Sequence, residues 1–208
     1  NYYFMDDIKK IDYNFIKSEN SDKVIVAFHG WQGNKDSFLP LVKYNLFKDY
    51  NWFLVQGPYL VGNDPDRRSW SYEIESGKWA FEEPKKLIHN FFNNEVFEKF
   101  DSTNVYVIGF SLGALVCYEI ISSLDKELGA IFPISGFINN KINLNIAQKN
   151  TPIIIGHGIN DSIVTPERSE EAYQQLSKQT SNVELIKYDA QHNIPIKMLT
   201  KISQIIEK

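Results

Sequence analysis

The sequence predicts an α/β protein with a mainly parallel sheet that is flanked by helices on both faces. Short apolar runs rich in Val, Ile and Phe recur along the chain, such as Val24–Phe28 and Ala130–Ile134, and helical patterns follow several of them. Runs that are apolar at every position are typical of strands covered on both faces, and strands that alternate with helices favour parallel pairing. The 208 residues contain no linker, repeat or low-complexity tract, so we expect 1–208 to form a single domain.

Seven segments are predicted to be strands, because each is a short apolar or alternating run with turn residues near its ends. The first alternates only weakly, which indicates a strand at the edge of the sheet. In chain order the predicted strands are Tyr13–Lys17, Val24–Phe28, Trp52–Gln56, Val105–Ile108, Ala130–Ile134, Pro152–Gly156 and Val183–Tyr188.

Helical patterns lie between these strands. The first begins at Asp36 or Ser37 and continues to Leu46. The others lie at Glu82–Lys99, after Gly113, at Pro166–Lys178 and at Pro195–Glu207. The segment 57–77 is rich in Gly, Pro, Asn, Asp and Ser and is too long for a simple connection. Because it also carries aromatic residues, we expect an ordered but irregular segment with a functional role.

The stretch around Ser111 is the strongest motif in the chain. A predicted strand ends at Gly109-Phe110-Ser111-Leu112-Gly113, and a helical pattern rich in Ala and Leu follows. A serine at the apex of such a strand-turn-helix needs glycine two residues before and two after, where the backbone passes close to its neighbours. G-x-S-x-G is also compatible with an ordinary turn whose serine caps a helix, but the strand and helix around it favour a nucleophile.

A serine nucleophile needs a base and a group that orients the base. Among the four histidines, His192 lies in the loop after the last predicted strand, and Asp161 lies in the loop after the strand before it. Loops at the carboxyl ends of parallel strands gather at one edge of the sheet, where ligands bind. The order Ser111, Asp161, His192 is the order of the α/β-hydrolase triad. Asp189 is a competing acid, but at three residues from His192 in the same loop it is less able to orient the ring.

His29-Gly30-Trp31 follows another predicted strand. A glycine there lets the chain turn close to Ser111, so the backbone N–H groups of Trp31 and Leu112 could together bind an oxyanion. We interpret His29 and His157 as structural residues that hold their loops by hydrogen bonds.

Composition narrows the possible functions. The net charge of −4 and the lack of a basic stretch with aromatic residues argue against nucleic acid as a partner. No apolar run reaches the length of a membrane span, and no signal peptide is visible, so we expect a cytoplasmic protein without stable membrane insertion.

The single cysteine, Cys117, excludes an internal disulfide and is interpreted as a core residue. No cluster has the spacing of metal ligands, so we expect no metal.

Taken together, these motifs resemble the phospholipase/carboxylesterase family of small α/β-hydrolases, which includes the acyl-protein thioesterases. The resemblance rests on five segments spread over nearly the whole chain. They are His29-Gly30, the Gly57-Pro58 loop leading to Trp70, the turn Gly109-Phe110-Ser111-Leu112-Gly113 (the elbow), the segment from His157-Gly158 through Asp161 to Pro166, and His192-Asn193-Ile194-Pro195. It implies an α/β-hydrolase fold without a separate cap domain and a carboxylesterase that needs no cofactor. It also implies Ser111, Asp161 and His192 as the catalytic triad.

The chain departs from the family pattern near the expected substrate pocket. Leu112 stands where the family often has glutamine, Trp31-Gln32-Gly33-Asn34 replaces a tighter glycine-and-acid pattern, and Trp70-Ser71-Tyr72 replaces a tryptophan-phenylalanine-aspartate run. The residues expected to line the pocket are Trp31, Tyr59, Trp70 and Ile163.

Substrate choice does not carry over from the family. A small-molecule ester or thioester is the expected partner, with the chain as a monomer or homodimer. An acyl-protein thioesterase, a lysophospholipase and a non-catalytic ligand-binding homologue stay open as alternatives.

Overall fold

Strands and helices alternate along most of the chain, as the apolar runs predict. The computed structural model describes residues 10–75, 78–138 and 146–208. Its strands are β1 Tyr13–Ile16, β2 Val24–Phe28, β3 Asn51–Val55, β4 Tyr59–Val61, β5 Asp64–Ser69, β6 Tyr72–Glu75, β7 Lys78–Ala80, β8 Val105–Phe110, β9 Ala130–Ile134, β10 Ile153–Gly158 and β11 Val183–Tyr188. Its α-helices are α1 Leu39–Val42, α2 Glu82–Phe91, α3 Leu112–Ser123, α4 Pro166–Leu176 and α5 Ile196–Ile206.

A seven-stranded sheet holds these elements together in the order β1-β3-β2-β8-β9-β10-β11. Strand β1 pairs antiparallel with β3 at one edge, and the other neighbours pair in parallel. Alternate residues of the central strands enter two cores, since Val26 packs with α2, α3 and α4 on one face while Ala27 packs with α5 on the other. The predicted α/β-hydrolase fold, with helices on both faces of a mainly parallel sheet, is confirmed.

The register of the sheet decides which loops meet at its carboxyl edge. Phe28 at the end of β2 pairs with Gly109 near the end of β8, so the loop after β2 leaves the sheet beside the turn before α3. Gly158 at the end of β10 pairs with Tyr188 at the end of β11, so the next two loops also leave together. The sheet therefore brings the four predicted site loops to one edge in two neighbouring pairs.

The first predicted helix is shorter and begins earlier than expected. The chain enters a 3₁₀ turn at Lys35–Phe38 and then the single turn of α1. Asn34, rather than Asp36 or Ser37, caps this segment, because its side chain accepts the Asp36 N–H while the Ser37 hydroxyl accepts the Asn34 N–H. The second predicted helix also differs, since α2 ends at Phe91 and a π-helical turn follows at Phe92–Val96.

The prediction of an irregular segment at 57–77 is wrong in part. Strands β4 and β5 pair antiparallel, and β6 pairs with β7, so the region forms two small sheets beside the main one. Strand β5, with the sequence DPDRRS, contains residues that strands usually avoid. It is held by partners far away in the chain, since the Arg68 N–H donates to Gly33 O and the Gln32 N–H donates to Arg68 O, both at 3.0 Å.

No helix within residues 10–75, 78–138 and 146–208 combines the length and the apolar character needed to cross a bilayer.

Candidate active site

Ser111 stands at a sharp turn between β8 and α3. Its backbone has a positive φ of 54° together with ψ −116°, a combination that is rare for a residue with a side chain. Its N–H donates to Ile134 O at 2.8 Å, which ties the turn to the end of β9. A strained backbone of this kind costs on the order of 1–3 kcal/mol and is found mainly at functional sites. Ser111 is partly exposed, whereas the first turns of α3 behind it are buried.

The two glycines of the turn are required by close approach, as the sequence predicts. A Cβ added to Gly109 would collide with the backbone of Gly113, and one added to Gly113 would collide with the carbonyl of Phe28. Because those contacts are with backbone atoms, neither could be relieved by rotating a side chain. The elbow can therefore form only with glycine at both positions.

Asp161 and His192 are joined by a hydrogen bond at the same edge of the sheet. His192 Nδ1 lies 2.7 Å from Asp161 Oδ2. Asp161 Oδ1 accepts the N–H groups of Ile163 and Val164 at 2.9 and 3.0 Å. Burial by itself raises the pKa of the Asp161 carboxyl, but the hydrogen bond from His192 and the two backbone N–H groups outweigh it and lower the pKa. Asp161 is therefore a fixed anion facing His192.

The competing acid, Asp189, has a different partner. Its Oδ1 accepts from Asn160 Nδ2 at 2.7 Å, so Asp189 fixes the neighbouring loop. His192 packs instead on the elbow, with its ring 4.8 Å from the ring of Phe110, the residue before Ser111. The structure therefore brings His192 beside the serine turn, although no hydrogen bond joins His192 to Ser111 among the described residues. Phe110 was missed by sequence reasoning, and its place directly before the serine was the available signal.

The loop after β2 lies against the elbow. A Cβ added to Gly30 would stand 3.3 Å from Ser111 Cβ, so Gly30 lets the backbone pass close to the serine. The next residue, Trp31, is 52% exposed, and Gln32 has a left-handed φ of 62°. At the start of α3 the Leu112 N–H has no acceptor within the helix, as is general for the first turn. The two backbone groups predicted to bind an oxyanion thus belong to segments that pack on each other.

His29 supports this loop from inside the protein, as the sequence predicts for a structural histidine. Its Nε2 accepts the Gly57 N–H at 2.9 Å, and its Nδ1–H donates to Gly30 O at 2.7 Å. Its own carbonyl accepts the indole N–H of Trp70 at 2.8 Å. Burial is the main cause that lowers the pKa of His29 to about 4. The hydrogen bond to Gly30 raises this pKa by a smaller amount, and the nearby charge of Arg68 lowers it slightly further. His29 is therefore neutral near pH 7.

We expect the free energy of unfolding to fall as the pH is lowered from 6.5 to 4. Above pH 6.5 His29 is neutral in both states, whereas between the two pKa values the unfolded chain binds a proton that the folded protein excludes. The loss should reach about 3 kcal/mol at pH 4. Urea unfolding at several pH values would measure it. A His29→Gln variant with the same pH slope would contradict the assignment.

The residues predicted to line a pocket fall into two groups. Trp31 and Ile163 are 52% and 72% exposed, so both side chains are available at the edge that carries Ser111. Tyr59 and Trp70 are only 2% and 0% exposed. The Tyr59 hydroxyl donates to Glu83, and Trp70 packs on Phe28 as well as holding His29. Neither aromatic residue presents a free surface: Trp70 supports the loop after β2 from the core, and Tyr59 is held between Glu83 and Tyr72.

Within the described ranges, no group of three or more His, Cys, Asp or Glu side chains is placed to hold a metal ion.

Two relatives of known name resemble this chain over much of its length. Acyl-protein thioesterase 1 of Debaryomyces hansenii is 31% identical over 132 residues, which cover 60% of this chain and 53% of that protein. Acyl-protein thioesterase 1 homolog 1 of Dictyostelium discoideum is 29% identical over 163 residues, which cover 74% of this chain and 72% of that protein. The match thus spans about half of the first relative and nearly three quarters of the second.

Solved structures share the fold at lower identity. Esterase PE8 superposes with a TM-score of 0.83 at 20% identity, covering 95% of this chain and 98% of that one. The Bacillus cereus carboxylesterase superposes with a TM-score of 0.80 at 21% identity, covering 96% and 95%. A family model described as phospholipase/carboxylesterase matches residues 14–208. The match includes the whole main sheet except Tyr13, the first residue of β1. The chain therefore belongs to the phospholipase/carboxylesterase family.

Proposed function

We propose that this protein is a serine hydrolase that cleaves carboxylic esters through an acyl-enzyme on Ser111. The observation that carries the proposal is the Asp161–His192 hydrogen bond of 2.7 Å, in a pair that packs on the elbow beside Ser111. Family membership supports it, because phospholipases and carboxylesterases both hydrolyse esters.

Each residue has a distinct task in the proposed reaction. His192 takes the proton of the Ser111 hydroxyl while the serine oxygen forms a bond to the ester carbonyl carbon. The fixed carboxylate of Asp161 keeps the His192 Nδ1 proton in place and stabilises the imidazolium. When the tetrahedral intermediate collapses, His192 returns the proton to the leaving alcohol and the ester C–O bond breaks. Water activated by His192 then releases the acid by the same steps.

The oxyanion of the tetrahedral intermediate is bound by the backbone N–H groups of Trp31 and Leu112. Leu112 is the first residue of α3, so its N–H also lies at the positive end of the helix. The N–H of Trp31 is held near that of Leu112 for two reasons. Gly30 packs on Ser111, and His29 hydrogen-bonds the carbonyl of the peptide that joins Gly30 to Trp31. Donors that are already oriented need no rearrangement when charge develops, which is the basis of their effect on rate.

Exposed apolar side chains at this edge favour an acyl chain as the group bound beside the serine. Trp31 and Ile163 offer such surface, whereas Tyr59 and Trp70 are buried. An acyl-protein thioesterase is a second candidate, because both named relatives carry that description. A lysophospholipase would use the same residues on a larger substrate.

Competing substrates test the proposed activity. We expect turnover of p-nitrophenyl esters of short and medium acyl chains, with kcat/KM depending on chain length because the acyl group contacts apolar side chains. Acyl thioesters and lysophospholipids should be measured on the same protein. A higher kcat/KM for thioesters would favour the second candidate, and no turnover of any of the three classes would contradict a hydrolase.

A further inference from the structure

A buried histidine lies behind Asp161, on the side away from the solvent. His157, at the end of β10, and Ser169, in α4, are both 0% exposed, and the Ser169 hydroxyl hydrogen-bonds His157 Nδ1. The other ring nitrogen of His157, Nε2, lies 2.8 Å from Val164 O and 3.3 Å from Asp161 Oδ2. The ring therefore spans the space between α4 and the loop that carries the acid.

These contacts place a hydrogen on Nε2 of His157 and fix the orientation of the ring. Both neighbours of Nε2 are oxygens that can only accept, so Nε2 must carry a hydrogen, and it donates to Val164 O. On the other side of the ring, Nδ1 is hydrogen-bonded to the Ser169 hydroxyl, which also lies 3.4 Å from Gly136 O. Ser169 thus holds the ring with Nε2 directed at the loop of Asp161.

The loop held in this way is the one that grips Asp161. Val164 donates its N–H to Asp161 Oδ1 and offers its carbonyl to His157, so the same residue is tied at both ends. Nε2 of His157 and Nδ1 of His192 also approach the same oxygen, Asp161 Oδ2, at 3.3 and 2.7 Å. A change in His157 should therefore alter the position of the Asp161 carboxylate and its interaction with His192.

We propose that His157 and Ser169 are positioning residues for Asp161: they hold its carboxylate in the orientation that serves His192. The inference rests on the proposed function, in which Asp161 orients the base. It goes beyond the triad because both residues act from the core without touching substrate. The transition state, where His192 becomes charged, should depend on this alignment more than substrate binding does.

Ser169→Ala should lower kcat for a p-nitrophenyl ester about tenfold, and His157→Phe should lower it by up to about 100-fold, because they remove one and two of the hydrogen bonds that support Asp161. KM should stay within about twofold in both, because neither residue contacts substrate. His89 and Ser123 form the matched control: they too are a histidine–serine pair, joined through Nε2 and Oγ at 2.8 Å, but they lie on α2 and α3. Ser123→Ala should leave kcat unchanged. Ser169→Ala removes only a hydroxyl, so the test holds even if His157→Phe does not fold.

A double-mutant cycle with Asp161→Asn separates positioning from general destabilisation. Ser169→Ala should cause no further loss of kcat when Asp161 is already asparagine, because no carboxylate is left to position. A full tenfold loss in that background, or a wild-type kcat in Ser169→Ala, would overturn the inference. If Asp161→Asn alone kept full activity, both the inference and the proposed triad would be wrong. Full loss in Asp161→Asn with normal Ser169→Ala and His157→Phe would overturn the inference alone.

Discussion

Replacement of Ser111 by alanine is expected to lower kcat by about 10⁶, the cost found when the nucleophile of a serine triad is removed. No other group can form the acyl-enzyme, so the oxyanion donors and substrate binding would supply the residual rate. The fold should persist, because the side chain at this position is partly exposed and makes no hydrogen bond to another described side chain. Hydrolysis of a p-nitrophenyl ester and the thermal unfolding temperature would together measure both effects.

Ser135 provides a matched control for this experiment. Like Ser111 it follows a strand of the main sheet and has a positive φ, of 49°, but it is fully buried. Ser135→Ala should keep kcat within a few-fold of the parent protein. A fluorophosphonate probe should label residue 111 in the parent and in Ser135→Ala, and mass mapping would identify the site. Labelling elsewhere, or full activity in Ser111→Ala, would contradict Ser111 as the nucleophile, whereas a parent protein that is not labelled would favour the non-catalytic alternative.

The main sheet could be predicted because its strands carry their own signal. Val24–Phe28 and Ala130–Ile134 are apolar at every position, and both are buried along their whole length between two helical layers. In a protein of this size, such a run is best accommodated as an interior strand of a sheet that is covered on both faces. The alternation with helices then left parallel pairing as the expected arrangement.

The two small sheets could not be predicted because their signal lies elsewhere in the chain. Asp64–Ser69 has no apolar pattern and becomes a strand through pairing with β4 and with the backbone of Gln32 and Gly33. Tertiary contacts of this kind override local preference. They also explain why the segment is ordered, and why it lies against the loop that carries Trp31.

At the site, the sequence identified residue types and chain order but not orientation. Asp161 and Asp189 both lie in loops near His192 in the predicted topology, and only the structure shows the hydrogen bond to Asp161 and the separate one from Asn160 to Asp189. Similarly, Trp70 was expected at a pocket because it is aromatic and lies in a long loop. Its indole N–H instead holds the His29 carbonyl, a contact that links residues 41 positions apart and leaves no local pattern.

Asp161→Asn is expected to lower kcat by about 10⁴, as for triads in which the acid is replaced by its amide. The geometry gives the reason. Oδ1 accepts two backbone N–H groups, so the amide oxygen would occupy that place and the NH₂ group would face His192 Nδ1. His192 would then have to accept at Nδ1 and carry its proton on Nε2. In that tautomer it has no lone pair with which to take the proton of Ser111.

Asp189→Asn is the control, because it makes the same chemical change in the neighbouring loop, where Asn160 is the partner. It should alter kcat less than threefold, on the order of the effect of a lost surface contact. The rate of fluorophosphonate labelling should follow kcat in both variants, since phosphonylation needs the same proton transfer. A loss in Asp189→Asn as large as that in Asp161→Asn would contradict the assignment of Asp161 as the one acid that serves His192.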